Sequence, residues 1–126
     1  METWRQLSEG SLRAAEILFR EGEYRSCISR AYYAAYCAAT EEIVKKLTTF
    51  PNAWNNPPHI KVSVYIQNNL TLAPTKKQRI IRRINILRLY RENADYRPQT
   101  TISEQVARNC IRAAAAIQRH FWGGTI

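Results

Sequence analysis

Arg91, Asp95 and Tyr96 are the residues of this chain best placed by type and spacing to do chemistry. They close the run Leu89-Tyr90-Arg91-Glu92-Asn93-Ala94-Asp95-Tyr96, just before Arg97-Pro98, where a helix is expected to stop. A guanidinium at Arg91 can clamp a phosphate through two parallel hydrogen bonds. Asp95 is unusual, because a carboxylate at a helix C-terminus opposes the dipole. It is expected to answer an arginine, either Arg30 on another helical segment or Arg91 one turn away, with Tyr96 capping the network. Arginine before aspartate at i,i+4 is the weaker helical order, which again points to tertiary use of both groups. Cleavage of RNA needs a group that takes the 2′-hydroxyl proton near neutral pH, which histidine does readily. Tyr96, with a reference pKa near ~10, needs a strong local cation for that work.

A second cluster lies some sixty residues earlier, at Arg30-Ala31-Tyr32-Tyr33-Ala34-Ala35-Tyr36. Alanine removes the bulk that aromatics pack against, so three tyrosines among alanines suit a surface that a backbone or flat ligand approaches. Tyr32 and Tyr36, four apart, share a helix face, and Tyr33 lies about 100° round. We read the three as a dimer interface, since aromatics are enriched at interface cores. The alternative is base stacking by Tyr32 or Tyr36, worth ~1–3 kcal/mol per base where it occurs.

The third candidate is a basic run from Lys76 to Arg91. The net charge of +9 is unevenly placed: residues 1–42 sum to −2, residues 43–91 to +10 with no carboxylate at all, and residues 92–126 to +1. Such a segment raises a field that attracts polyanions. Lys76, Lys77, Arg79, Arg82 and Arg83 have no acid three or four residues away. Close pairs such as Arg79 and Arg83 repel by a few tenths of a kcal/mol, and a helix tolerating that cost is expected to meet phosphates. An acidic protein partner is the competing reading.

The two histidines invite less. His59 follows Asn56-Pro57-Pro58 at a helix start, where the dipole disfavours protonation, so a neutral, hydrogen-bonded imidazole is expected. His120, beside Phe121 and Trp122, reads as surface or interface. With Cys27, Cys37 and Cys110 dispersed, no metal set forms and no cofactor is expected. Cys27 and Cys37, ten apart on one helix, sit ~15 Å apart and cannot bridge. The cysteines read as buried reduced thiols. No apolar run approaches the ~20 residues of a membrane span, and the N-terminus shows no secretory pattern, so a cytoplasmic protein is expected.

The elements that position these residues read as all-α in one domain over 1–126, and 45% hydrophobic content suits a folded chain. Helix one is expected from Trp4 to Arg20, opened by the capping box Thr3-Trp4-Arg5-Gln6, with Trp4, Leu7, Ala14, Ala15, Leu18 and Phe19 on its apolar stripe. Gly22 marks a short turn into helix two, about Glu23 to Leu47. The stretch Phe50–Pro58 holds three prolines and three asparagines and must be a loop. Helix three, His59 to Asn69, is expected to turn Ile60, Val64 and either Tyr65 or Ile66 inward. Pro74 precedes a second box, Thr75 to Gln78, opening helix four to Tyr96, with Ile80, Ile84, Leu87 and Arg91 on one stripe. A third box, Thr101 to Glu104, opens helix five, which stops at Gly123-Gly124. Helices one, two, four and five are expected to form an up-and-down bundle with helix three packed across it.

These segments together resemble the HEPN family (higher eukaryotes and prokaryotes nucleotide-binding), in particular its small stand-alone prokaryotic members. The likeness rests on Gly22-Glu23-Tyr24, Arg30 to Ala35, His59 opening helix three, Leu89-Tyr90-Arg91 with Ala94-Asp95-Tyr96, and the closing helix Ile102 to Phe121. It implies a five-helix domain, usually a homodimer and often encoded beside a minimal nucleotidyltransferase; many members are ribonuclease toxins of toxin–antitoxin pairs. Nuclease members carry Arg-x4-6-His. Arg91 matches the arginine, but Tyr96, Arg97 and Pro98 stand where the histidine would be. The resemblance therefore implies an RNA- or nucleotide-binding protein, with a minimal nucleotidyltransferase as partner. The alternatives are a ribonuclease built on Arg91 and Tyr96, with or without His59, and a purely structural interaction module.

Overall fold

Helix α2, Tyr24–Val44, carries apolar or small residues on nearly every side, and the rest of the chain packs around it. The computed structural model describes residues 2–123, which contain five α-helices and no strand. The others are α1 (Trp4–Arg20), α3 (Val62–Asn69), α4 (Pro74–Tyr96) and α5 (Glu104–Trp122). All four touch α2, and α5 also packs on α1 and α4. Twelve of the 21 residues of α2 are buried, five of them alanines. Alanine lets neighbouring helices approach closely on several sides, while Ile28, Tyr32, Tyr36 and Ile43 supply bulk.

The turn between α1 and α2 forms as Gly22 suggests. Gly22 takes φ 76°, and Glu23 N–H and Gly22 N–H donate to the Leu18 and Phe19 carbonyls at 2.9 and 3.0 Å, a Schellman cap. At the other end of α1, Thr3 Oγ1 accepts from Gln6 N–H at 3.0 Å and Gln6 Oε1 accepts from Thr3 N–H at 2.8 Å, the expected box. The two other boxes do not form. Helix α4 begins at Pro74, so its N-cap is Ala73, which has no side-chain acceptor, and Thr75 lies inside the helix; Pro74 lacks only the first of the N–H groups that would want a partner. Helix α5 is capped by Ser103, whose Oγ accepts from Val106 N–H at 3.1 Å, two residues beyond Thr101. Helix α2 ends at Val44, short of Leu47.

Helix three departs most. Residues His59–Lys61 form a 3-10 turn before α3 starts at Val62. The tighter turn shifts the register, so Val62 and Ile66 face the core while Ile60 and Val64 are 72% and 51% exposed. On α1, Leu7 is 39% exposed and Ser8 is buried instead. Ser8 Oγ donates to the Ala34 carbonyl at 2.6 Å and accepts from Gln118 Nε2 at 3.0 Å, joining α1, α2 and α5. The α4 stripe is as expected, with Ile80, Ile84 and Leu87 buried. Gly123, at φ 68°, closes α5 by donating to the Arg119 carbonyl at 2.8 Å; Gly124 lies outside the described residues.

Candidate functional site

The tyrosines are not an outer face. Tyr32 and Tyr36 are 1% and 2% exposed, covered by the loop that follows α2. Tyr36 Oη donates to the Pro57 carbonyl at 2.6 Å, with Asn56 Oδ1 at 3.1 Å. The His59 ring stacks on Tyr36 with centroids 3.9 Å apart and planes 15° from parallel. Its Nδ1 lies 2.7 Å from Tyr32 Oη. The interface or base-stacking role expected of Tyr32 and Tyr36 is thus corrected: the chain uses them itself, to dock its proline-rich loop. Tyr33 is half-buried and lies under the Arg30 guanidinium at 4.8 Å.

Burial pushes the Tyr36 phenol up to about 12 and the Tyr32 phenol still higher, so both are protonated hydroxyls at neutral pH. Burial, and then the positive field of Arg91, lowers the proton affinity of His59. The expected hydrogen-bonded imidazole of lowered proton affinity results, but from burial and Arg91 rather than from a helix dipole, since α3 starts only at Val62. When Tyr32 donates to Nδ1, the ring carries its proton on Nε2. The ring also lines an open pocket with Ala53, Trp54, Asn55 and Asn56. Trp54, 47% exposed, is a feature that the sequence reading passed over as loop.

Arg91 sits behind this knot. Its guanidinium lies 5.3 Å from the centre of the Tyr32 ring, and its Nε is 3.2 Å from Asp95 Oδ2. The same Asp95 oxygen accepts from Ser29 Oγ at 3.2 Å. Asp95 therefore answers Arg91 and Ser29, and Arg30 turns to Tyr33 instead. Tyr96 is 68% exposed, its ring 5.5 Å from the Arg91 guanidinium, and it caps nothing. Together Arg91, Glu92, Tyr96 and Arg97 line a second open pocket.

The cation that answers the end of α4 is one that sequence reasoning missed. Arg25, in the first turn of α2, donates through Nη1 to the carbonyls of Asn93, Ala94 and Arg97 at 3.2, 2.9 and 3.2 Å. Its Nη2 donates to the Pro98 carbonyl at 3.2 Å and to that of Thr100. One guanidinium thereby satisfies the carbonyls of Ala94, Pro98 and Thr100 and adds a second donor to those of Asn93 and Arg97, which already accept from Arg97 and Thr100 N–H, and its charge favours the dipole.

The basic run presents most of its charge to solvent. Lys76, Arg79 and Arg82 are exposed and Arg83 is half-buried. Among the described residues, no carboxylate lies within ion-pair distance of these four. Lys77 is turned back onto α3, donating to the Gln67 carbonyl at 3.1 Å. No described group of histidine, cysteine and acidic residues forms a metal set. Cys27, Cys37 and Cys110 are buried free thiols, raised to about 11, 11 and 12 by burial. No helix among the described residues is long and apolar enough to cross a membrane.

A search of curated proteins returns no match to the sequence. The family model for the HEPN domain matches residues 1–120 of the 126. With the five helices, the central Tyr-bearing α2 and the Arg91 end of α4 in place, this match settles the family: the chain belongs to the HEPN domain family.

Proposed function

We propose that this HEPN protein binds single-stranded RNA, or a nucleotide, through the N-terminal half of α4. The observation that carries this reading is the exposed, unpaired charge of Lys76, Arg79 and Arg82, with Arg83 beside them. Charges held apart from any carboxylate keep their full attraction for phosphate and release counterions on binding. In this reading the protein is a homodimer. Its joining surface is the outer faces of α4, of α3 and of the 3-10 turn before it, where Ile86, Leu89 and Tyr96, Val64, and Ile60 are exposed. The Ser63 Oγ to Asn85 Oδ1 hydrogen bond holds those faces side by side. A minimal nucleotidyltransferase with an acidic face, in a toxin–antitoxin-like arrangement, fits the same basic surface.

The test is binding of single-stranded RNA at several salt concentrations. Affinity is expected to fall with a log–log slope of roughly −0.7 per contacted phosphate. Charge reversal at Arg82 and Arg83 should weaken all sequences alike, since phosphate contacts carry no base information. Binding that ignores salt would refute the reading.

A second reading, ribonuclease activity, has one observation in its favour. His59 Nδ1 lies 2.7 Å from Tyr32 Oη and the Arg91 guanidinium 5.3 Å from the centre of the same ring, so a histidine does come near the family's arginine, from the 3-10 turn before α3. Arg91 then clamps the phosphate, and His59 Nε2 either donates to it or, in the other tautomer, takes the 2′-hydroxyl proton. Under this reading, production of the protein alone arrests growth, and Arg91→Ala and His59→Ala each relieve the arrest. Arrest that persists in both variants would dismiss it.

A further inference from the structure

The basic surface does not end with α4. Lys76, Arg79 and Arg83 recur at i, i+3 and i+7 and form one stripe on that helix. Opposite the stripe lies the last turn of α5, with Arg119 exposed and His120 half-buried. Arg83 Nη1 sits 3.3 Å from His120 Nε2, a donor resting on an imidazole lone pair. The charged groups whose fields reach this ring are Arg83, Lys76, Arg79 and Arg119, all of them cations. None of the four pairs with a carboxylate among the described residues.

We propose that Arg119 and His120 of α5 join Lys76, Arg79 and Arg83 of α4 in one phosphate-binding cradle for the backbone of single-stranded nucleic acid. The inference rests on the α4 reading above and extends it to a second helix. Two guanidinium groups on facing helices can each present a two-toothed edge to phosphate oxygens, and the antiparallel helices fix their separation. In the empty cradle, partial burial and the four cations hold His120 neutral. A phosphodiester brought among them offsets part of that positive field and raises the proton affinity of His120, so that on acidification the bound ring takes up a proton before the free one and adds a fifth cation. Affinity therefore rises as pH falls through the His120 titration. The facing lysine and arginines keep their charge throughout, and a phosphodiester does not titrate there.

The experiment uses the intact protein and a short fluorescent oligothymidylate, which lacks a 2′-hydroxyl and survives any ribonuclease activity. Arg119→Glu and the milder Arg119→Gln should both weaken binding several-fold and reduce the salt slope by about 0.7. The tightening at lower pH should vanish in His120→Gln, and the His120 ring protons should titrate at a higher pH with oligonucleotide than without. If Arg79→Glu weakens binding while both Arg119 variants match the parent in affinity and slope, the α5 half of the cradle is refuted and the α4 reading stands. An unchanged His120 titration on saturation refutes its protonation. Absence of salt-sensitive binding in the parent protein sinks both readings at once.

Discussion

The C-terminal half of α4 and its N-terminal half are both rich in charge, yet among the described residues only the first is answered by a carboxylate. Arg91 pairs with Asp95, Asp95 takes a second bond from Ser29, and the open carbonyls at the helix end converge on Arg25. Lys76, Arg79 and Arg82 face solvent with no carboxylate at ion-pair distance among the described residues. A charge embedded in a network contributes to stability, and its removal strands its partners. An unpaired surface charge contributes little to stability, which leaves it free to serve recognition. The difference predicts which changes unfold this protein and which merely stop it from binding.

The sharpest test of that contrast is Arg25→Ala. Removing donors to a charged group's partners at a helix end is expected to cost about 3 kcal/mol, read as a lower urea midpoint. Arg25→Lys should recover only part of it, since one ammonium cannot span carbonyls from Asn93 to Thr100. A midpoint equal to the parent's would show that the helix end is not clamped. Tyr36→Phe comes next, at about 1–2 kcal/mol, because it strips the Pro57 carbonyl of its buried donor. Tyr33→Phe, on the same helix but half-exposed, should move the midpoint by less than about half a kcal/mol.

The pH dependence is smaller and has a defined sign. His59 binds a proton less readily in the folded protein than its ordinary value of 6.5. The unfolded chain thus takes up protons first, and stability is complete above 6.5 and declines as pH falls below it. Denaturant midpoints collected across that range should slope downward on acidification, and His59→Gln should reduce the slope to the part that His120, lowered in the same sense, contributes. Arg82→Glu with Arg83→Glu should likewise change stability little, by about half a kcal/mol, alongside a large loss of salt-sensitive RNA binding. Unfolding of that double variant would erase the distinction between the two halves.

Much of the fold was legible because helices announce themselves by period and punctuation. The α4 stripe, the Thr3 box and the Gly22 turn all follow from local rules, whereas the neutral, tethered state of His59 rests on burial, Arg91 and Tyr32. The failures have physical causes. Periodicity identifies one covered face, but α2 is covered on several, so Tyr32 and Tyr36 read as surface when the loop bearing Pro57 and His59 lies over them. Ile60 and Val64 were turned inward by assuming an α period where the chain makes a 3-10 turn. Arg25 left no trace at all, since its acceptors are backbone carbonyls, which every residue carries. In the candidate site Arg91 was one of two partners that the sequence offered Asp95, and the i,i+4 order argued for a tertiary contact that Ser29, not Arg30, supplies. The approach of His59 from the 3-10 turn before α3 depended on loop geometry that spacing does not encode.

The Arg25 clamp also bears on the order in which the chain assembles. Its partners lie 68 to 75 residues further along, and contacts that distant must await closure of a long loop. On the ribosome, α1 and α2 emerge with their turn already encoded by neighbours. The end of α4 finds its acceptor-binding guanidinium only after Thr100 has been made. The clamp is then a late latch: it does little to speed assembly and mostly slows escape from the finished fold.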